Sequence, residues 1–197
     1  MQKKSTSTDP GIQLIVFLGN PGKDYEKTRH NVAWLAARHL GFYGSLVWQS
    51  KFKALYSVFS GDKRLILLMP QTFMNLSGEA VRSCADFFKI APGEILAVHD
   101  ELELPFASAG FRCGGGLGGH KGLVSINKHL GTGDFWRLRL GIGRPLHGDA
   151  SSHVLGKFSA DEEPLLGIFL QKAAEILMEG VKDPAKTAAS YGKVSLL

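Results

Sequence analysis

The chain alternates short apolar runs with amphipathic stretches. Residues 13–19 form an apolar run that stops at Asn20-Pro21-Gly22, which predicts a first strand closed by a turn. Over residues 28–41, Val32, Leu35, Ala36 and Leu40 recur on one face and Gly41 follows, the pattern of a helix with a glycine stop. Runs at 51–60 and 64–69 flank Gly61-Asp62 and read as a β-hairpin. Residues 77–90 predict a helix with Ser77 as N-cap, punctuated by Pro92-Gly93. A buried strand over 94–99 then ends at Asp100. Residues 110–113 read as extended, 114–119 as a glycine loop, 120–130 as a helix and 135–142 as a strand. The longest helix is expected over 161–181, with a short one after Pro184. Strands alternating with helices predict an α/β sandwich on a largely parallel sheet, with the hairpin adding antiparallel pairing. No repeat, linker or internal boundary interrupts the pattern.

Composition adds bounds. The 197 residues suit one domain, and 44% hydrophobic with 21% charged residues is ordinary for a globular protein. The net charge of +5 permits a polyanionic partner without demanding one. Cys84 and Cys113 form no C-x-x-C pattern, so neither a disulfide framework nor a zinc site is expected. Residues 1–11 lack the apolar core of a signal peptide, and no apolar run approaches a membrane span. The expectation is a cytoplasmic protein with a short flexible N-terminal extension.

Ligands of open α/β sheets bind beyond the carboxyl ends of the strands. Asn20, the Met74-Asn75 segment and Asp100 all follow apolar strands, while His30 and His120 lie near helix starts. A neutral imidazole can take a proton from water, and a carboxylate on its other nitrogen fixes the tautomer. His30 with Asp100 could be such a pair, although spacing alone favours their reading as helix and turn caps. Asn20 and Asn75 could donate to a carbonyl or a developing oxyanion, or simply shape turns. The glycine run ends in no Gly-Lys-Ser/Thr and does not follow the first strand, so it is neither a phosphate loop nor a dinucleotide fingerprint. It could let a substrate backbone approach closely, or be a floppy connector.

Cys84 reads as core and Cys113 as a weak nucleophile candidate. His99 and Asp100 are adjacent, but no histidine pair at helical spacing supports a metal site. Among the basic residues, Lys51, Lys53, Arg112, Lys121, Lys128, Arg137 and Arg139, alternation puts Arg137 and Arg139 on one strand face. They could grip phosphate or form a solvated edge.

Taken in order, several segments carry a more specific signal. They are Leu18-Gly19-Asn20-Pro21-Gly22, Tyr25, Thr28-Arg29-His30-Asn31, the run from Pro70 to Gly78, His99-Asp100-Glu101-Leu102 and Gly118-Gly119-His120. The run from Arg137 to Gly143 and Val154-Leu155-Gly156 extend them. Together the chain resembles the bacterial-type peptidyl-tRNA hydrolase family from about Leu14 onward.

The resemblance implies a monomeric, single-domain three-layer α/β/α sandwich over residues 12–197, without cofactor or metal. The implied substrate is peptidyl-tRNA, cut at the ester to the terminal ribose by a water that a His/Asp pair activates, with no covalent intermediate. Carried over by matching position, His30 is the general base, Asp100 its orienting carboxylate and Asn20 the carbonyl or oxyanion donor. Met74 and Asn75 meet the peptide main chain, and Tyr25 walls the crevice. His120 helps place the peptide or the tRNA 3′ end. Arg112 and Arg139 clamp the tRNA 5′ phosphate. Lys121 departs from the family's usual Asn after the glycine-loop histidine, replacing a donor and acceptor with a donor only. Two other readings fit the residues alone: another α/β hydrolase acting on a small ester or amide, and a noncatalytic RNA-binding protein.

Overall fold

The apolar run after Gln13 forms β1 (Leu14–Phe17), and all four residues are buried. In the computed structural model, which describes residues 11–61, 63–145 and 147–197, β1 lies near the centre of the sheet. Most of the expected N-terminal extension, and Asp62 of the expected hairpin turn, lie outside the described residues.

The segment expected as one strand over 51–60 is two strands, β2 (Gln49–Lys51) and β3 (Ala54–Ser60). Phe52 and Lys53 break it, with φ of 59° and 55°, the left-handed backbone that turns a tight antiparallel hairpin. β3 then pairs antiparallel with β4 (Arg64–Pro70), which is the hairpin expected from sequence.

The helix expected over 28–41 is a 3₁₀ turn at Arg29–Asn31 followed by only six residues of α1 (Val32–Ala37). α2 (Ser77–Phe88) continues a 3₁₀ turn at Met74–Leu76. Ser77 is therefore not its N-cap: its hydroxyl donates backward to the Met74 carbonyl at 2.9 Å. Then follow β5 (Ile95–Glu101), β6 (Ser108–Cys113), α3 (Lys121–Leu130) and β7 (Trp136–Gly141). The chain closes with α4 (Ala150–Leu155), α5 (Glu163–Lys182), α6 (Pro184–Ser190) and the short β8 (Val194–Ser195). The pattern of polar and apolar positions predicted neither α4 nor β8.

Among the described residues, eight strands lie in the order β2-β3-β4-β1-β5-β7-β6-β8. β4, β1, β5 and β7 pair in parallel, and the strands outside them pair antiparallel. The sheet is thus mixed, with its parallel part confined to the centre. β6 accounts for one departure from a largely parallel sheet. Only residues 102–107 separate it from β5, too few for the crossover that a parallel return needs.

Successive residues of the central strands feed two cores. Ile15, Phe17, Leu96 and Val98 pack with α1 and α5 residues such as Ala33 and Phe169. Leu14, Val16, Ile95 and Ala97 pack with α2 and α3 residues such as Val81 and Ile126. That alternation makes the three layers of an α/β/α sandwich. It also leaves the carboxyl ends of β1, β4 and β5 side by side.

Candidate active site

A crevice of about 520 Å³ opens at those strand ends. Asn20, Tyr25, His30, Met74, Asn75, Asp100, His120 and Lys121 line it. The structure thus brings eight of the ten expected site residues together. The remaining two, Arg112 and Arg139, lie on β6 and β7.

The 3₁₀ turn that shortens α1 swings His30 back toward β5. Its anchoring is polar. The Arg29 N–H donates to the Gly156 carbonyl at 2.9 Å, and the buried Arg29 guanidinium pairs with Glu162 at 2.7 Å. Thr28 bridges Lys157. His30 Nδ1 meets Asp100 Oδ1 at 2.8 Å. Burial opposes ionisation of Asp100, but the charges and N–H groups of His120 and His30 outweigh it and hold the carboxyl below its usual range. An ionised Asp100 accepts, so His30 carries its proton on Nδ1. Its Nε2, the basic nitrogen, is free of protein partners among the described residues.

His120, expected to help place the peptide or the tRNA 3′ end, lines the crevice. Its Nδ1 accepts from the N–H groups of Gly122 and Leu123, capping α3. Its Nε2–H therefore donates to Asp100 Oδ1, at 2.9 Å. Both nitrogens are engaged within the protein, and one carboxylate oxygen serves two imidazoles.

Asn20 is held on three sides. Its backbone N–H donates to Asn31 Oδ1 and its carbonyl accepts from Asn31 Nδ2, both at 2.9 Å. Its side-chain Oδ1 accepts from the Met74 N–H at 2.8 Å. The amide is thereby oriented, and Nδ2 remains as a donor without a protein partner among the described residues. Asn75 is exposed on the crevice rim, whereas Met74 is buried. Asn31, fully buried, fixes Asn20. Sequence reading quoted it only within a motif, although an amide eleven residues from another amide carries no spacing signal.

His99 lies beneath, its Nδ1–H donating to the Asp100 carbonyl at 2.7 Å. Burial pushes its pKa down to about 3, so it is neutral. Cys84 is core, its thiol pushed up to about 12 by burial, and burial likewise raises the Cys113 thiol.

The glycine loop is not a floppy connector. Arg137, expected at a phosphate or on a solvated edge, is buried. Its guanidinium donates to the carbonyls of Gly116 at 2.8 Å and Gly115 at 3.0 Å. Gly115, Gly118 and Gly119 have φ of 87°, 57° and 71°, which a side chain would strain.

Phe73, Leu102, Val154 and Leu155, quoted from sequence only within motifs, also line the crevice, as does Ser151 of α4, which no motif contained. The Asp149 side chain, accepting from the Ser152 N–H at 2.9 Å, is the capping signal that marks α4. For a metal, ligand atoms of His30, Asp100 and His120 lie within 4.8 Å of one another. In this arrangement, however, both rings direct N–H groups at the same carboxylate oxygen. No helix among the described residues is long and apolar enough to cross a membrane.

Residues 14–195 match the family model described as peptidyl-tRNA hydrolase. The chain is 43% identical over 173 residues to a peptidyl-tRNA hydrolase of Desulfitobacterium hafniense, covering 87% of this chain and 90% of that one. A relative of the same name from Geobacter metallireducens is 43% identical over 174 residues, covering 87% and 89%. The crystal structure of peptidyl-tRNA hydrolase from Acinetobacter baumannii matches with a TM-score of 0.79 at 35% identity, covering 92% of this chain and 96% of that chain. On sequence and fold together, this chain belongs to the peptidyl-tRNA hydrolase family.

Proposed function

We propose that this protein hydrolyses the ester between a peptide, or an N-blocked amino acid, and the terminal ribose of tRNA, and that His30 and Asp100 activate the water. The observation that carries the reading is the buried Nδ1–H···Oδ1 bond of 2.8 Å, which leaves Nε2 of His30 as the basic nitrogen at the crevice. Nε2 takes a proton from water as the oxygen attacks the ester carbonyl. Asp100 stabilises the imidazolium that forms. The oxyanion develops beside the free Nδ2–H of Asn20, which is already aimed by the Met74 N–H. Collapse breaks the bond to the ribose oxygen, and the imidazolium returns its proton to that oxygen. The products are a peptide carboxylic acid, which ionises, and tRNA with a free hydroxyl.

Asn75 and the Met74 segment meet the peptide main chain, and Tyr25 and Lys121 flank the crevice. Arg112 and Arg139 take the tRNA 5′ phosphate. No covalent intermediate is formed.

The test is turnover of N-acetyl-aminoacyl-tRNA. His30→Ala should lower kcat by at least about 10²-fold with tRNA binding retained. Near-normal kcat in a folded variant would remove His30 from the reaction. Hydrolysis of a free nucleotide ester at the same efficiency would instead indicate a small-ester enzyme.

A further inference from the structure

Beside the ester site, whose crevice Glu101 also lines, the ends of β5, β6 and β7 carry a second polar cluster. In the parallel pairing of β5 with β7, His99 lies opposite Arg139 and Glu101 opposite Gly141. In the antiparallel pairing of β6 with β7, Arg112 lies opposite Arg137 and Gly110 opposite Arg139. Alternation along the strands therefore puts Arg112, Arg137, Arg139 and Glu101 on one face of the sheet. Arg137 is committed to the glycine-loop carbonyls. The other two guanidinium groups are tethered through Nε instead.

Arg112 donates from Nε to the Gly114 carbonyl at 3.1 Å. Its guanidinium lies against Gly115, where an added Cβ would come within 1.2 Å of a terminal nitrogen. Arg139 donates from Nε to Glu101 Oε2 at 3.0 Å. Glu101 is itself fixed, since its Oε1 accepts from the Glu103 N–H at 3.1 Å. Gly110 lies opposite Arg139, and a Cβ added there would be in ordinary contact with Arg139 Nη1 at 3.5 Å. In both arginines Nε is anchored, and the terminal amino groups have no protein partner among the described residues. Those outer N–H groups are the ones a guanidinium uses to grip a phosphate. A long side chain held in one rotamer before binding also loses less freedom on binding.

We propose that Glu101 is the positioning residue of the phosphate clamp. Its carboxylate holds Nε of Arg139, so that the outer amino groups of Arg139 and Arg112 form a ready-made seat for the phosphate monoester at the tRNA 5′ end. The proposal rests on the reading of Arg112 and Arg139 as that clamp. A carboxylate beside a phosphate also repels it. Two tethered guanidinium groups, with Arg137 behind them, outweigh that one charge.

The experiment compares N-acetyl-aminoacyl-tRNA with and without its 5′ phosphate, using the wild type, Glu101→Ala, Glu101→Gln and Arg139→Ala. Glu101→Ala should raise KM for the phosphorylated substrate about tenfold, with kcat within about twofold and the KM for dephosphorylated substrate unchanged. Glu101→Gln keeps an acceptor for Nε and should restore most of the affinity. If Glu101→Ala does not fold, Glu101→Asp gives the same readout, since the shorter carboxylate withdraws from Nε and KM should rise. Lower KM in both Glu101→Ala and Glu101→Gln would make Glu101 a competing anion and overturn the proposal. So would an unchanged preference for the 5′ phosphate in Glu101→Ala. A wild-type preference retained by Arg139→Ala would instead overturn the clamp itself.

Discussion

At the scale of single residues, Asn20 shows how much chemistry one side chain divides between its atoms. Oδ1 is spent on the Met74 N–H, and only Nδ2 is left to donate. Asn20→Ala should lower kcat by about 10²–10³-fold, the usual cost of one oxyanion donor. Asn20→Asp keeps the acceptor for Met74 but brings charge where the oxyanion forms, and should cost at least as much. Single-turnover rates check both, and a milder loss in the Asp variant would move the oxyanion elsewhere. His99 supports a different kind of test. Its pKa lies at about 3 when folded, against 6.5 for the free side chain. The unfolded chain therefore binds the extra proton first as pH falls. The His99 contribution to stability is full above pH 6.5 and falls by about 1.4 kcal/mol for each unit below it, toward pH 3. The depressed carboxylates act only below 4.5, so from pH 6.5 to 5 the His99 contribution stands clear of them. Denaturant midpoints should slope downward across that interval, and His99→Gln should flatten the slope; an unchanged slope would place the proton elsewhere. The roles of such residues were legible unevenly. Position after a strand pointed to Asn20 and Asp100, but no spacing reveals that His120 turns both nitrogens inward or that Asn31 braces Asn20.

Among the elements, the long periodic segments were the readable ones. The apolar runs became β1, β4 and β5, and the amphipathic 14-residue stretch over 77–90 became α2 with little change. What escaped was local backbone geometry set by distant contacts. Phe52 and Lys53 turn left-handed without a glycine to announce it. The helix carrying His30 gives up its first turn because Thr28 and Arg29 are tied to residues 156–162. The glycine loop took its order from Arg137, far along the chain and indistinguishable in sequence from Arg139. Arg137→Leu would leave carbonyls of that loop unpaired and should cost about 3 kcal/mol in a denaturant titration. It should also raise KM, because Arg112 rests on the same loop. Arg137→Lys offers one point of donation rather than a fork and should recover only part of the loss. Wild-type stability in the Lys variant would mean the fork is unimportant.

For the molecule as a whole, the layered α/β architecture and the crevice at the parallel strand ends followed from alternation of elements, while the antiparallel flanks depended on connection lengths. The crevice gathers two imidazoles on one carboxylate, and a divalent ion could enter only by breaking those bonds. Exhaustive dialysis against a chelator should therefore leave kcat unchanged, and added zinc should inhibit. Activity lost on chelation and restored by one equivalent of metal would contradict this. The last two residues of β5, Asp100 and Glu101, face opposite sides, one toward His30 and the other toward Arg139. Point changes can retune either partner without disturbing its neighbour, so reactivity and substrate choice can drift separately along a lineage. A one-residue insertion or deletion in that strand would exchange the two carboxylates' directions and cripple both at once. Length polymorphism in this lineage should therefore collect in the connections beyond the strand and spare β5 itself.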